Sequence, residues 1–181
     1  MKIESPAFTL DDVKSFMDTY LDRERSLLAD RLQKASDRLA ALAPRIIKAE
    51  PGDESGWNAH ELLAHLAVLS KFYGVLVHRI SSGQLPNMDL LEAVHLRDTV
   101  GHQMSQLEPA DLLRVTVVDH ERTIKTLRTT EVKALRQTAE LGDGITMTAE
   151  EVARLPLISH LEMHIDELER LLGAGDGVTA G

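Results

Sequence analysis

Among the eight histidines of this chain, three are placed so that they could share a cation. His160 and His164 are spaced i, i+4, so on a helix their rings leave one side about 40° apart and one turn from each other. At that spacing two imidazole nitrogens can reach one ion at about 2.0–2.1 Å. His65 falls inside the apolar arc of an earlier segment, marked by Leu62, Leu66, Leu69, Phe72, Tyr73, Leu76 and Ile80. A third nitrogen from a facing helix would complete a three-nitrogen cap and leave positions open for water or substrate. The competing reading is three core histidines hydrogen-bonded to one another or to backbone. Burying imidazoles without partners is costly, so either reading requires that they be satisfied.

Other groupings carry less. His60-Glu61-Leu62-Leu63-Ala64-His65 looks like a zinc-protease motif but is one residue too long, which puts its two rings about 140° apart. Glu92 and His95 have the spacing of a di-iron ligand pair, yet a carboxylate-bridged site needs two such pairs and further Glu. His120 lies in the centre of an apolar face with Leu113, Ile124 and Leu127; it is either a polar core residue or a general base beside the histidines. Glu24 and Arg31 fall unexpectedly within an apolar stripe, where they could contact a polar ligand at a pocket mouth, snorkel, or sit at an interface.

These side chains need helices to hold them. From Leu10 to Ile47 apolar residues recur at helical period, from Leu10, Val13 and Phe16 to Leu39 and Leu42, with Thr9 as the cap and Pro51-Gly52 as the stop. A second helix is expected from about Gly56 to Ile80 and a third from Pro109 to about Leu141. Thr148 and Glu151 have capping-box spacing and open a fourth, which ends at Gly173 and is kinked by Pro156. Between Ser81 and Glu108 no pattern is legible beyond a short helix through 90–96. The expectation is an all-α four-helix bundle over 1–172 with a flexible tail at 173–181.

Composition narrows the function classes. With 20 Lys and Arg against 29 Asp and Glu the net charge is −9, and no basic stripe exists to release counterions from a phosphate backbone, so nucleic acid is excluded as a partner. Apolar runs are short, so no membrane-spanning helix is expected, and Met1–Thr9 lacks the pattern of a secretory leader. The absence of cysteine removes disulfides and thiolate ligands together. A cytoplasmic setting is expected by default.

Trp57 at the start of a helix, His65-Leu66 eight residues later, and His160-Leu161-Glu162-Met163-His164 in the last helix together resemble the DinB/YfiT-like superfamily of metalloenzymes. The ordered set covers nearly the whole chain. The resemblance implies a four-helix bundle, a divalent metal, often zinc or nickel, on side chains matching His65, His160 and His164, and a homodimer. Several relatives of that kind are thiol-dependent transferases or isomerases using bacillithiol, mycothiol or glutathione. Three neutral imidazoles would favour an anionic fourth ligand, hydroxide or thiolate, and any sulfur must arrive on a small molecule because the chain has no cysteine. The expected function is a metal-dependent enzyme acting on a small-molecule substrate. A low-molecular-weight-thiol S-transferase stands first, with a hydrolase or a non-catalytic metal-binding protein as the alternatives.

Overall fold

A computed structural model describes residues 9–49 and 57–175. Helix α1, Leu10–Ile46, starts where the Thr9 hydroxyl accepts from the Asp12 amide and the Asp12 carboxylate accepts from the Thr9 amide. This closed box satisfies two of the donors that a helix start leaves unpaired. Pro44 is tolerated in the last turn. Leu28, Leu32, Ala35, Leu39, Leu42 and Ile46 are buried, but the same stripe is open to solvent in the first half of the helix, with Phe16 at 68% and Tyr20 at 51% exposure. The apolar period there marks a face that the chain's own bundle leaves uncovered. The expected Pro51-Gly52 stop and Gly56 lie outside the described residues.

Helix α2, Ala59–Ser81, is capped by Asn58 and Glu61 in the same reciprocal way. It is apolar on most of its circumference. By length and composition alone it is apolar enough to cross a bilayer, a test that the buried core helix of a bundle also passes. Leu62, Leu63, Leu66, Leu69 and Val77 are instead buried against the other helices, as expected of the central helix of a bundle.

The stretch from Ser81 to Glu108 holds more order than the sequence suggested. Helix α3, Leu90–Met104, begins at Asp89, whose side chain accepts from the Glu92 amide. It lies against α2. Helix α4, Pro109–Thr129, buries Leu112, Leu113, Thr116, His120, Thr123, Ile124 and Leu127. The third helix does not continue to Leu141. It stops at the β-branched run Thr129-Thr130, followed by a single turn, α5, Val132–Leu135. Strands β1, Thr138–Glu140, and β2, Thr146–Thr148, then pair antiparallel, Ala139 opposite Met147. Gly142, Asp143 and Gly144 all take positive φ at the turn, a conformation that suits Gly and is tolerated by Asp. Three-residue strands are too short to show alternation, so the hairpin was invisible in the sequence. It is also too small to alter the helical class.

The last helix opens on the expected Thr148–Glu151 box as α6, Ala149–Val152. Pro156 does more than kink it. The segment Ala153–Ser159 is π-helical before α7, His160–Gly175, resumes the ordinary register. A proline cannot donate to the carbonyl four residues back; a wider turn accommodates the ring. Helix α7 passes the predicted stop at Gly173 by two residues, and 176–181 lie outside the described residues. Helices α1, α2, α4 and the α6–α7 rod make the bundle. Arg31 with Glu162, and Arg38 with Asp166 and Glu169, tie α1 to α7.

Gly74 on α2 faces Thr123 of α4 so closely that a Cβ there would run into Thr123 Oγ1, itself donating to the Asp119 carbonyl. Gly74→Ala should therefore destabilise the fold by about 1–2 kcal/mol despite alanine's better helix propensity. Thermal melts of Gly74→Ala and of Gly74→Ala with Thr123→Ala test this. The second change should recover part of the loss, and a single variant as stable as the parent would refute the close approach.

Candidate metal centre

His65 sits on α2 two turns beyond the Asn58 cap, and His160 and His164 occupy the first and fifth positions of α7. One ligand nitrogen from each lies within 4.8 Å of the other two. The rings are mutually inclined: His65 meets His164 edge-on at 4.8 Å between centroids and 85°, and His160 at 5.5 Å and 67°. His160 Nε2 and His164 Nε2 are 2.9 Å apart. Two nitrogens held at about 2.1 Å from one ion would be separated by about 3.0 Å at 90° and about 3.4 Å at the tetrahedral angle. The observed spacing is near that of a ligand pair and is also that of an N–H···N hydrogen bond between the rings.

Hydrogen bonds outside the cluster fix which nitrogen faces inward. The Glu167 carboxylate lies 3.0 Å from His164 Nδ1, so Nδ1–H donates outward and Nε2 keeps its lone pair. His160 is set by the π-helical segment. Its backbone N–H reaches the carbonyls of Leu155 and Leu157, leaving the Pro156 carbonyl to accept from the imidazole ring. Two Nε2 lone pairs aimed at each other repel unless a proton or a cation lies between them.

The surroundings disfavour the charged forms of His65 and His160. Burial above all, then the neighbouring His164 and His160 and the Arg97 guanidinium, hold His65 at about 4, with Asp98 opposing. Burial, His164 and Arg97 lower His160 as well. A neutral imidazole is the form that ligates metal. Trp57 covers the cluster, 4.6 Å from His65 edge-on and 5.8 Å from His164 stacked. Beside it a cleft of about 270 Å³ opens, lined by Trp57, His65, Arg97, Asp98, Gly101 and Ser105 among others.

The remaining candidates lie elsewhere. His120 is fully buried on α4 with Nε2 2.8 Å from Ser70 Oγ. Ser70 donates to the Leu66 carbonyl, so Nε2–H donates to the hydroxyl and Nδ1 is left without a partner. Ser70 stands five residues beyond His65, about 140° around α2, and His120 joins none of the ring contacts of the cluster. Glu24 bonds Arg154, and Arg31 bonds Glu162 and Ser159; neither lines the cleft. Their place in the apolar stripe is explained by these partners on the last helix. His60 is likewise occupied, donating to the Leu107 carbonyl at 2.8 Å, and Glu92 and His95 are exposed. Glu167 and Arg97 were missed in the sequence. The first was discoverable, because i, i+3 on a helix faces His164; the second lay in the stretch without a pattern.

Neither protein-family models nor curated proteins give a match to this chain. Among solved structures it is similar to the crystal structure of the mycothiol-dependent maleylpyruvate isomerase, with a TM-score of 0.61 and 23% identity. The match covers 81% of this chain and 60% of that one, so the chain spans about three fifths of its neighbour's length. The likeness shows the fold, an all-helical bundle with one small hairpin.

Burial also holds His120 at about 4, below the ordinary imidazole value of 6.5. The unfolded chain therefore takes up a proton at this residue between those values while the folded chain does not. The stability that neutral His120 carries is complete above about pH 6.5 and is lost as pH falls toward 4, by about 2 kcal/mol at pH 5. Denaturant titrations at pH 7.5 and 5.0 should show a smaller loss for His120→Met than for the parent; equal losses would exclude His120 as the source.

Proposed function

We propose that His65, His160 and His164 hold one divalent ion, zinc or nickel, and that the chain is a metal-dependent enzyme whose first-choice chemistry is transfer of a low-molecular-weight thiol. The observation that carries this reading is the 2.9 Å approach of two inward Nε2 atoms, each ring held from outside by a fixed acceptor. An ion bound there would hold an incoming thiol as thiolate, or acidify a water. The protein's own part is positional. Glu167 and the Pro156 carbonyl fix the ring nitrogens, Trp57 shields one side of the cluster from water, and the Arg97 guanidinium makes the cleft attractive to anions. The sulfur would come from solution, since the chain has no cysteine. The mycothiol dependence named for the structural neighbour supports a thiol over water as the nucleophile. A cytoplasmic setting, where small thiols stay reduced, suits the same reading.

Protein purified without immobilised metal and analysed for elements should carry close to one ion per chain. His65→Ala and His164→Ala should lose it, while Glu167→Gln should retain the site with affinity weakened about 10–100-fold. Loaded protein given a small thiol and an electrophile should form the conjugate faster than solution does. Hydrolysis without thiol would favour the hydrolase, and metal binding with neither reaction would favour a non-catalytic binding protein. Full stoichiometry in both alanine variants would remove the site.

We also propose a homodimer, supported by the exposed face of Phe16, Met17, Tyr20 and Leu27 on α1, which is larger than isolated surface residues require. Light scattering should give twice the chain mass for the parent and the single mass for Phe16→Glu with Tyr20→Glu. A monomeric parent would defeat the idea.

A further inference from the structure

A second cavity, about 610 Å³, runs between α2 and α3 and is walled by Phe72, Leu76, Leu85, Met88 and Val100. Its size is that of a site for a small organic molecule. It meets the cleft beside His65 at two residues, Val68 and Arg97, which line both. The two spaces lie side by side across these side chains, a path of adjoining clefts with the histidine cluster beside one and an apolar trough in the other.

Arg97 stands at the junction. Its side chain is 20% exposed, against 61% for Asp98 beside it. Nε and Nη2 both donate to the same Asp98 oxygen, at 3.1 and 2.9 Å, and Nη1 makes no hydrogen bond among the described residues. Half of a guanidinium fork is thus anchored and the other half can receive an anion, an arrangement suited to carboxylates. Elsewhere the trough's charges offset one another: α2 supplies Lys71 and Arg79, and α3 with its cap supplies Asp89 and Glu92. Arg97 gives the trough lining one cation more than its anions, but Glu61 and Asp98 line the cleft side, so an anion here would be held by the free Nη1 of Arg97 and not by a net positive field along the path.

We infer that this path is the substrate groove and that it takes an amphipathic monocarboxylate, its carboxylate on Arg97 and its apolar body between α2 and α3. The inference rests on the metal-site reading only for what happens to such a molecule; the groove itself is independent of it. Along α2 the distance from Val68 to Leu76 is about 12 Å, matched by an extended chain of about ten carbons. The reacting end would lie toward His65, because Arg97 is close enough to lower the basicity of both His65 and His160.

Decanoate is a suitable probe, and Trp57, the single tryptophan of the chain, is a built-in reporter at the cluster end of the path. Titration of the full chain with decanoate should change Trp57 fluorescence saturably, with decanol and acetate binding at least about tenfold more weakly. Arg97→Gln should weaken decanoate about tenfold or more and leave decanol unchanged. Val75→Glu, at an exposed position of the trough wall, should weaken both. Decanoate affinity indifferent to Arg97→Gln, or absence of saturable binding, would overturn the proposal. Metal content measured on the same samples keeps the two readings apart. Binding that depends on Arg97 in protein with no metal would sink the metal site and leave the groove standing; metal at one ion per chain without decanoate binding would do the reverse.

Discussion

Two imidazole nitrogens facing each other at 2.9 Å are the constraint from which the rest of the centre follows. Lone pairs do not approach this closely in a partly buried place unless something positive lies between them. One shared proton would suffice for a pair. A neutral ring with its N–H on Nε2 bridges that pair without added charge, but it leaves out the third ring, held within 4.8 Å on α2. A divalent ion satisfies all three at once, and this is why a cluster costly as apoprotein is reasonable as a binding site.

The bundle is arranged to hold that approach. Helix α2 is anchored at its start by a reciprocal cap and buried on most sides, so His65 has little freedom. The two α7 rings are set from outside, one by a carboxylate on the next turn and one by a carbonyl released from helical hydrogen bonding. Ion pairs from α1 to the far face of α7 hold the helix from the opposite side. A cluster on rigid helices, its rings steered by groups outside it, is the arrangement that keeps donor geometry within tight limits.

Much of this was legible in the sequence, and the reasons are local. Helical period and reciprocal caps are short-range signals; Thr9 with Asp12, and Thr148 with Glu151, announced two helix starts correctly. The i, i+4 histidine pair was legible because a single helix fixes its geometry, and His65 because its arc was strongly apolar. What failed depends on contacts between distant segments. Glu24 and Arg31 sat in an apolar stripe for the sake of partners about 130 residues away. The hairpin of β1 and β2 is too short to declare a period, and α3, weakly amphipathic against one neighbour, leaves little pattern. Arg97 was hidden with it, although its charge acts on both His65 and His160.

The π-helical stretch has a further consequence. It inserts what amounts to one extra residue into the turn count, so the helix that begins at Thr148 and the helix that carries the rings are out of phase. The wide turn absorbs that residue: loss of one residue from 153–159 would return the segment to ordinary α-helical turn and leave His160 and His164 facing His65, whereas loss of a residue from the α-helical turns on either side, with the wide turn kept, would swing both rings together by about 100° around the axis. The alignment of the centre is counted in residues along this rod, and the π-helical segment is the one place in it with a residue to spare.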